Sequence, residues 1–163
     1  MKLLVKTSLY YAMASLLFFA VAGFIKGNAI SFGFPRPDHS NFLTALRRAY
    51  GLIGEGVVRD KLLPGASRHE KDGEMDVIAW SSSTDGTPGV QYWLGQVATG
   101  LTNWDNKSVR GAIDPFHDIW FSAKPPSTPN PAMFIPFCLD QGGENLSDVV
   151  KTNMYKFGKI FFS

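Results

Sequence analysis

The chain is short of the residues on which several common chemistries depend. Its single cysteine, Cys138, excludes an internal disulfide and points to a reducing compartment or to indifference to oxidation. Cys138 also sits in an apolar run, where a buried inert thiol is the commoner outcome than a nucleophile paired with histidine. The three histidines, His39, His69 and His117, show no zinc-binding spacing. There is no G-x-S-x-G elbow and no P-loop, so nucleophile-elbow hydrolysis and Walker-type nucleotide binding lose support. A large excess of either charge is missing too, at +2 overall. The distribution is less even: residues 1–63 hold eight Lys/Arg against three Asp/Glu, net +5, and residues 64–163 hold eight against eleven, net −3. Such an asymmetry suits a polyanion held near a cation.

What is present begins with an uncharged run, Thr7 to Ile25, preceded by Lys2 and Lys6 and followed by Lys26. It is long enough to cross a bilayer. It also has the plan of a secretory signal, with Ala20-Val21-Ala22 as a small-x-small site, and that of a helix buried on all sides. The intracellular look of the remaining chain favours the buried helix and a cytoplasmic location, with membrane or secreted as the alternative. Residues 1–30 are therefore read as an apolar N-terminal helix and residues 40–163 as one domain, short at its C-terminus if the chain is a fragment.

Residues 27–38 read as a loop, marked by glycine and two prolines around Arg36. Ser40 or Asn41 then caps a helix with Phe42, Leu43, Leu46, Ala49, Tyr50 and Ile53 at helical spacing. Arg47 and Arg48 flank that helix as a solvated face or, less commonly, as phosphate contacts. Glu55 follows among glycines, and Val57 to Leu63 predicts a short strand. The acids Glu70, Asp72, Glu74 and Asp76 lie close together but lack the EF-hand pattern.

Asp76 to Lys107 organises the chain. The runs MDVIAW and VQYWLGQVA flank Asp85-Gly86 and Pro88-Gly89, the pattern of two strands and a connection. Folding the hairpin about its centre brings Asp76 beside Gln96, with Asp76 on the face of Ile78 and Trp80. A slip of one residue would reverse that face. Asn103 is offered as the cap of a helix starting at Trp104, resuming after Pro115 with Ile113, Phe116, Ile119, Trp120 and Phe121 packed on the sheet. KPPSTPNP, residues 124–131, predicts a loop, AMFIPFC a buried strand, and FGKIFFS a final strand. The four tryptophans, Trp80, Trp93, Trp104 and Trp120, are expected mostly in the core.

DGEMDVIAW followed by YWLGQVATGLTNWDNK resembles the PD-(D/E)XK nuclease superfamily, in particular its restriction-endonuclease-like members. The resemblance runs from about Phe42 to Cys138. It implies an α/β fold with an αβββαβ core, a mixed central sheet flanked by helices, preceded here by the apolar N-terminal helix. It also implies a metal-dependent nuclease acting on DNA with Mg²⁺ or Mn²⁺, in a microbial restriction or defence setting. Asp76 matches the metal-binding Asp, Gln96 the Glu/Gln of the next strand, and Glu55 the helix acid. Ala98 stands where that family has its lysine, and Lys107 is the candidate replacement. Hard cations prefer carboxylate and carbonyl oxygens, so Glu55 and Asp76 are expected to clamp the ion with the Val97 carbonyl as third ligand. DNA is the expected partner, a homodimer is compatible, and residues 7–25 keep a membrane in view. The alternatives are a catalytically silent nucleic-acid-binding or interaction module and a membrane-anchored or exported protein.

Overall fold

In the computed structural model, which describes residues 18–64, 71, 73–98, 108–135 and 158–162, the elements follow in this order. Helix α1 covers 18–25, then come β1 (Asn28–Ser31), α2 (Phe42–Ile53), β2 (Val57–Val58), β3 (Val77–Ser81) and β4 (Gln91–Val97). They are followed by α3 (Val109–Trp120), β5 (Phe121–Ala123), β6 (Asn130–Ile135) and β7 (Lys159–Phe162). The fold is α/β. A five-stranded mixed sheet runs β1-β3-β4-β6-β7, and a two-stranded sheet joins β2 to β5.

The hairpin forms the centre of the larger sheet. Val77 pairs with Gly95 and Ser81 with Gln91, antiparallel, while β4 and β6 run parallel with Gln96 beside Met133. Alternation along these strands sorts their side chains. Ile78, Trp80, Tyr92, Leu94 and Met133 pack with α2 and α3 in the main core. Val77, Ala79, Val97, Ala132 and Phe134 form a second cluster with Val21 of α1. Helices therefore cover both faces of the sheet, the usual way a mixed or parallel sheet is shielded.

α2 starts where the sequence allows. The Asn41 side chain accepts the Thr44 N–H at 2.9 Å, so Asn41 is the cap. The helix ends at Gly54, whose φ of 81° needs a residue without Cβ. Its apolar stripe, Phe42, Leu46, Ala49, Tyr50 and Ile53, is buried as its spacing predicts.

Five expectations are corrected. Residues 27–38 are not all loop, because Asn28–Ser31 forms the edge strand beside β3. The strand expected over Val57 to Leu63 shrinks to two residues and leaves the main sheet. Beyond Val58 the backbone turns to α3, with Arg59 N–H donating to Trp120 O at 2.9 Å, and Arg47 holds the Arg59 and Asp60 carbonyls. α3 does not resume after Pro115 but runs through it, capped at Ser108. Asn103 and Trp104 lie outside the described residues. Finally, α1 is not buried all round: Val21 is fully buried, whereas Phe19 and Phe24 are 67% and 57% exposed. No helix among the described residues is long and apolar enough to cross a membrane. The strand expected at AMFIPFC begins earlier, at Asn130, so the prolines of residues 124–131 do not keep all of that stretch irregular. Pro136 and Cys138 are outside the described residues.

Candidate functional site

Asp76 enters β3 at the end of the hairpin where β4 finishes. It lies one step past the Val77–Gly95 pair, where the paired ladder ends, level with the Gly95–Val97 stretch of β4. The ladder is irregular here. Asp76 N–H donates to Gly95 O at 2.8 Å, one residue off that partner, and Asp76 O accepts from Phe32 N–H at 2.7 Å and Gly33 N–H at 3.0 Å. Carboxylate Oδ2 accepts the Val97 N–H at 2.7 Å. Oδ1 faces Gly33 so closely that a Cβ on that residue would lie 2.7 Å away. One aspartate thus links β1, β3 and β4, and its carboxylate is held by β4 on one side and abuts the chain after β1 on the other.

Gln96 is the second member of the site. Alternation places it with Leu94 and Ala98 on the α2/α3 face. It is only 5% exposed, and its Oε1 has no hydrogen-bond partner among the described residues. A buried acceptor left unpaired costs about 1–3 kcal/mol, so such groups call for an explanation such as an ion. An amide oxygen beside a carboxylate is the donor set of a hard divalent cation. Among the described residues no three His, Cys, Asp or Glu side chains gather as a metal cluster. Any cation here would rest on Asp76, the Gln96 amide and backbone oxygen.

Glu55 is not brought to this site. Its carboxylate accepts from Gly89 N–H at 2.8 Å, Val90 N–H at 2.9 Å, Ser127 N–H at 3.3 Å and the Ser127 hydroxyl at 3.1 Å. Those partners lie at the opposite end of β4. Seven residues separate Val90 from Val97, roughly 23 Å of strand. Burial pushes the Glu55 carboxyl up, but the hydrogen bonds from Val90, Ser127 and Gly89 outweigh it and hold the group below its usual value. Glu55 ties α2 to the hairpin loop and to the 124–129 loop, and the expected clamp of Glu55 with Asp76 does not form. What joins Val97 to Asp76 is its N–H, whereas its carbonyl was the expected ligand.

The remaining candidates divide in the same way. Ala98 is buried in the main core. Lys107 lies outside the described residues. Arg48 pairs with Asp38 at 2.6 Å, and Arg47 is occupied by the two carbonyls named above. Trp80 and Trp120 are core residues, and Trp93 packs against the second cluster. His117 is buried with its Nε2 at 3.4 Å from both the Tyr50 and Tyr92 hydroxyls. Burial, then the Lys124 charge, pushes its pKa down to about 4 against the opposite pull of Asp114 and Asp118. That neutral imidazole belongs to the core under the sheet.

Sequence reasoning missed Phe32 and Gly33, whose amides hold the Asp76 carbonyl. The signal was the glycine between two phenylalanines in SFGFPRP, in a stretch read only as a loop. The chain matches no protein-family model, no curated protein and no solved structure.

Proposed function

We propose that this chain is a Mg²⁺- or Mn²⁺-dependent nuclease that hydrolyses phosphodiester bonds in DNA, of the restriction-endonuclease-like kind. The observation that carries the reading is an aspartate, Asp76, whose carboxylate is held by the Val97 N–H, next in the chain to Gln96, a buried amide whose Oε1 has no hydrogen-bond partner among the described residues. The order around it supports the same reading: an antiparallel hairpin, then helix α3, then β6 parallel to β4. β2 stands apart from the expected core, since its place beside β3 is taken by β1.

Asp76 and the Gln96 amide would hold the cation, and the Val97 N–H fixes the carboxylate so that it does not have to reorganise. A bound divalent ion supplies polarisation of the phosphate and a more acidic water. Lys107, the candidate replacement for the lysine whose motif position Ala98 occupies, is the group proposed to offset charge developing on the phosphate. Glu55 has no part in this scheme. A role in microbial defence follows from the family resemblance alone.

Plasmid DNA incubated with Mg²⁺ or Mn²⁺ should be cut by the wild type and not by Asp76→Asn. Equal cleavage by both would remove the assignment. A second reading, a silent DNA-binding relative, is favoured by Ala98, buried where the family has its lysine. Binding of DNA without cleavage under any divalent ion would select it.

A further inference from the structure

The chain between β1 and α2 lies against the proposed centre and carries an unusual pair. Gly33 abuts Asp76 Oδ1, and Phe34 follows it directly. Consecutive Cα atoms are about 3.8 Å apart, which puts the Phe34 Cα within about 8 Å of that carboxylate oxygen. The Phe34 side is not sequestered, with the residue 47% exposed. The Lys71 ammonium lies over its ring, 5.6 Å from the centroid, and Lys71 is itself exposed. Arg36 ties the two segments together. Buried under the loop with its guanidinium over the Phe32 ring, it donates to the Lys71 carbonyl and, at 3.3 Å, to the Ser40 carbonyl. The ring and the ammonium are therefore set on anchored backbone. The other strongly exposed phenylalanines, Phe19 and Phe24, belong to α1, which covers the opposite face of the sheet.

An aromatic face with a cation beside it is the combination that binds unpaired nucleotides: the base stacks, and the ammonium meets the phosphate or adds a cation–π contribution. Bases within a duplex are already stacked on one another and do not offer that face. We propose that Phe34 and Lys71 form the substrate rim of the Asp76–Gln96 site and that the substrate is single-stranded or locally unpaired DNA. The proposal rests on the nuclease reading and adds the form of the substrate and two residues that contact it.

The test is fluorescence anisotropy with a labelled single-stranded oligonucleotide and the matching duplex, in Ca²⁺ and in EDTA. Wild-type protein should bind the single strand at least about tenfold more tightly than the duplex. Phe34→Leu should weaken single-strand binding about five- to 150-fold, the range for loss of one stacked base, and leave duplex binding within twofold. Phe34→Trp, which keeps a π-face, should retain single-strand affinity. Lys71→Met should weaken binding and reduce the salt slope for single strands by about 0.7, the loss of one phosphate contact. Thermal melts of each variant establish that it is folded. Phe34→Leu binding the single strand like the wild type, or a duplex bound as tightly as a single strand, overturns the proposal while leaving the nuclease reading standing. Wild-type protein that binds neither DNA overturns both.

Discussion

The Asp76 carboxylate accepts the Val97 N–H at 2.7 Å, and the residue between Val97 and Gly95 is Gln96, whose buried Oε1 is unpartnered. The same stretch of β4 thus orients an acid through one residue's N–H and carries a buried neutral oxygen on the residue before it. A buried acceptor without a partner costs about 1–3 kcal/mol, and under the proposed function a bound cation would offset it.

The hydrogen bond that Asp76 accepts and the metal role proposed for it can be separated by substitution. Asp76→Ala removes the acceptor of the Val97 N–H and should cost about 1–3 kcal/mol, a Tm decrease of roughly 2–12 °C for a domain of this size. Asp76→Asn keeps an acceptor oxygen, so it should melt close to the wild type while losing the stabilisation by Mn²⁺ that the wild type is expected to show. Melting curves with and without Mn²⁺ check both. An Asn variant stabilised by the ion as strongly as the wild type would contradict a metal role.

Gln96→Met should have effects of opposite sign in two conditions. In EDTA it replaces an unpartnered buried amide with an apolar side chain of similar length and should raise stability by about 1 kcal/mol. With Mn²⁺ it should show less than a tenth of the wild-type affinity, measured by calorimetric titration. A lower Tm in EDTA would mean that the amide is satisfied in the folded protein.

Gly33→Ala isolates the close approach to Asp76. The φ of Gly33 is outside the left-handed region, so alanine is not strained by backbone conformation, but its Cβ would lie 2.7 Å from Oδ1. Moving the carboxylate or the loop should cost about 1–3 kcal/mol and weaken Mn²⁺ binding about tenfold or more. Unchanged ion affinity would remove Gly33 from the site.

Glu55→Gln tests the carboxylate at the far end of β4. Hydrogen bonds to a charged group contribute about 1.5–3 kcal/mol each, so the variant should be clearly less stable near pH 7 with ion binding unaltered. The folded-state pKa of Glu55 lies below its ordinary value. The stability it adds is therefore full above the unfolded pKa and is lost as pH falls through the folded one. The wild-type advantage over Glu55→Gln should shrink in acid, read from denaturant midpoints. A constant difference across that range would contradict the assignment.

His117 predicts a second pH dependence. Its folded pKa is about 4, below the unfolded value of about 6.5. Between those values the unfolded chain binds more protons, so stability rises with pH and its contribution is complete above about 6.5. Unfolding free energy should fall by up to about 1.4 kcal/mol per pH unit from pH 6.5 towards 4. His117→Phe should flatten that slope, and an unchanged slope would place the titration elsewhere.

The hairpin was legible because period-two alternation and a glycine-rich connection are local signals. MDVIAW and VQYWLGQVA needed no distant partner to declare themselves, and their fold about Asp85-Gly86 brings Asp76 back to the end of β4. The helix Phe42–Ile53 was readable for the same reason, through its cap and its apolar stripe. Asn28–Ser31 was not. Four residues of mixed polarity carry no period, and they are a strand only because the edge of β3 offers unpaired backbone groups.

Glu55 shows the limit most clearly. An acid among glycines at a helix end has the same sequence signature whether it binds an ion or accepts amide hydrogens. Which it does depends on where Gly89, Val90 and Ser127 arrive from elsewhere in the chain. By itself the sequence determined the α/β alternation and the hairpin, since each follows from local periodicity. The tertiary structure alone decided which face of α1 is buried, that β1 and not β2 flanks β3, and that Glu55 and Asp76 lie at opposite ends of a strand. Those outcomes depend on long-range packing and backbone hydrogen bonding, whose partners are not neighbours in the chain.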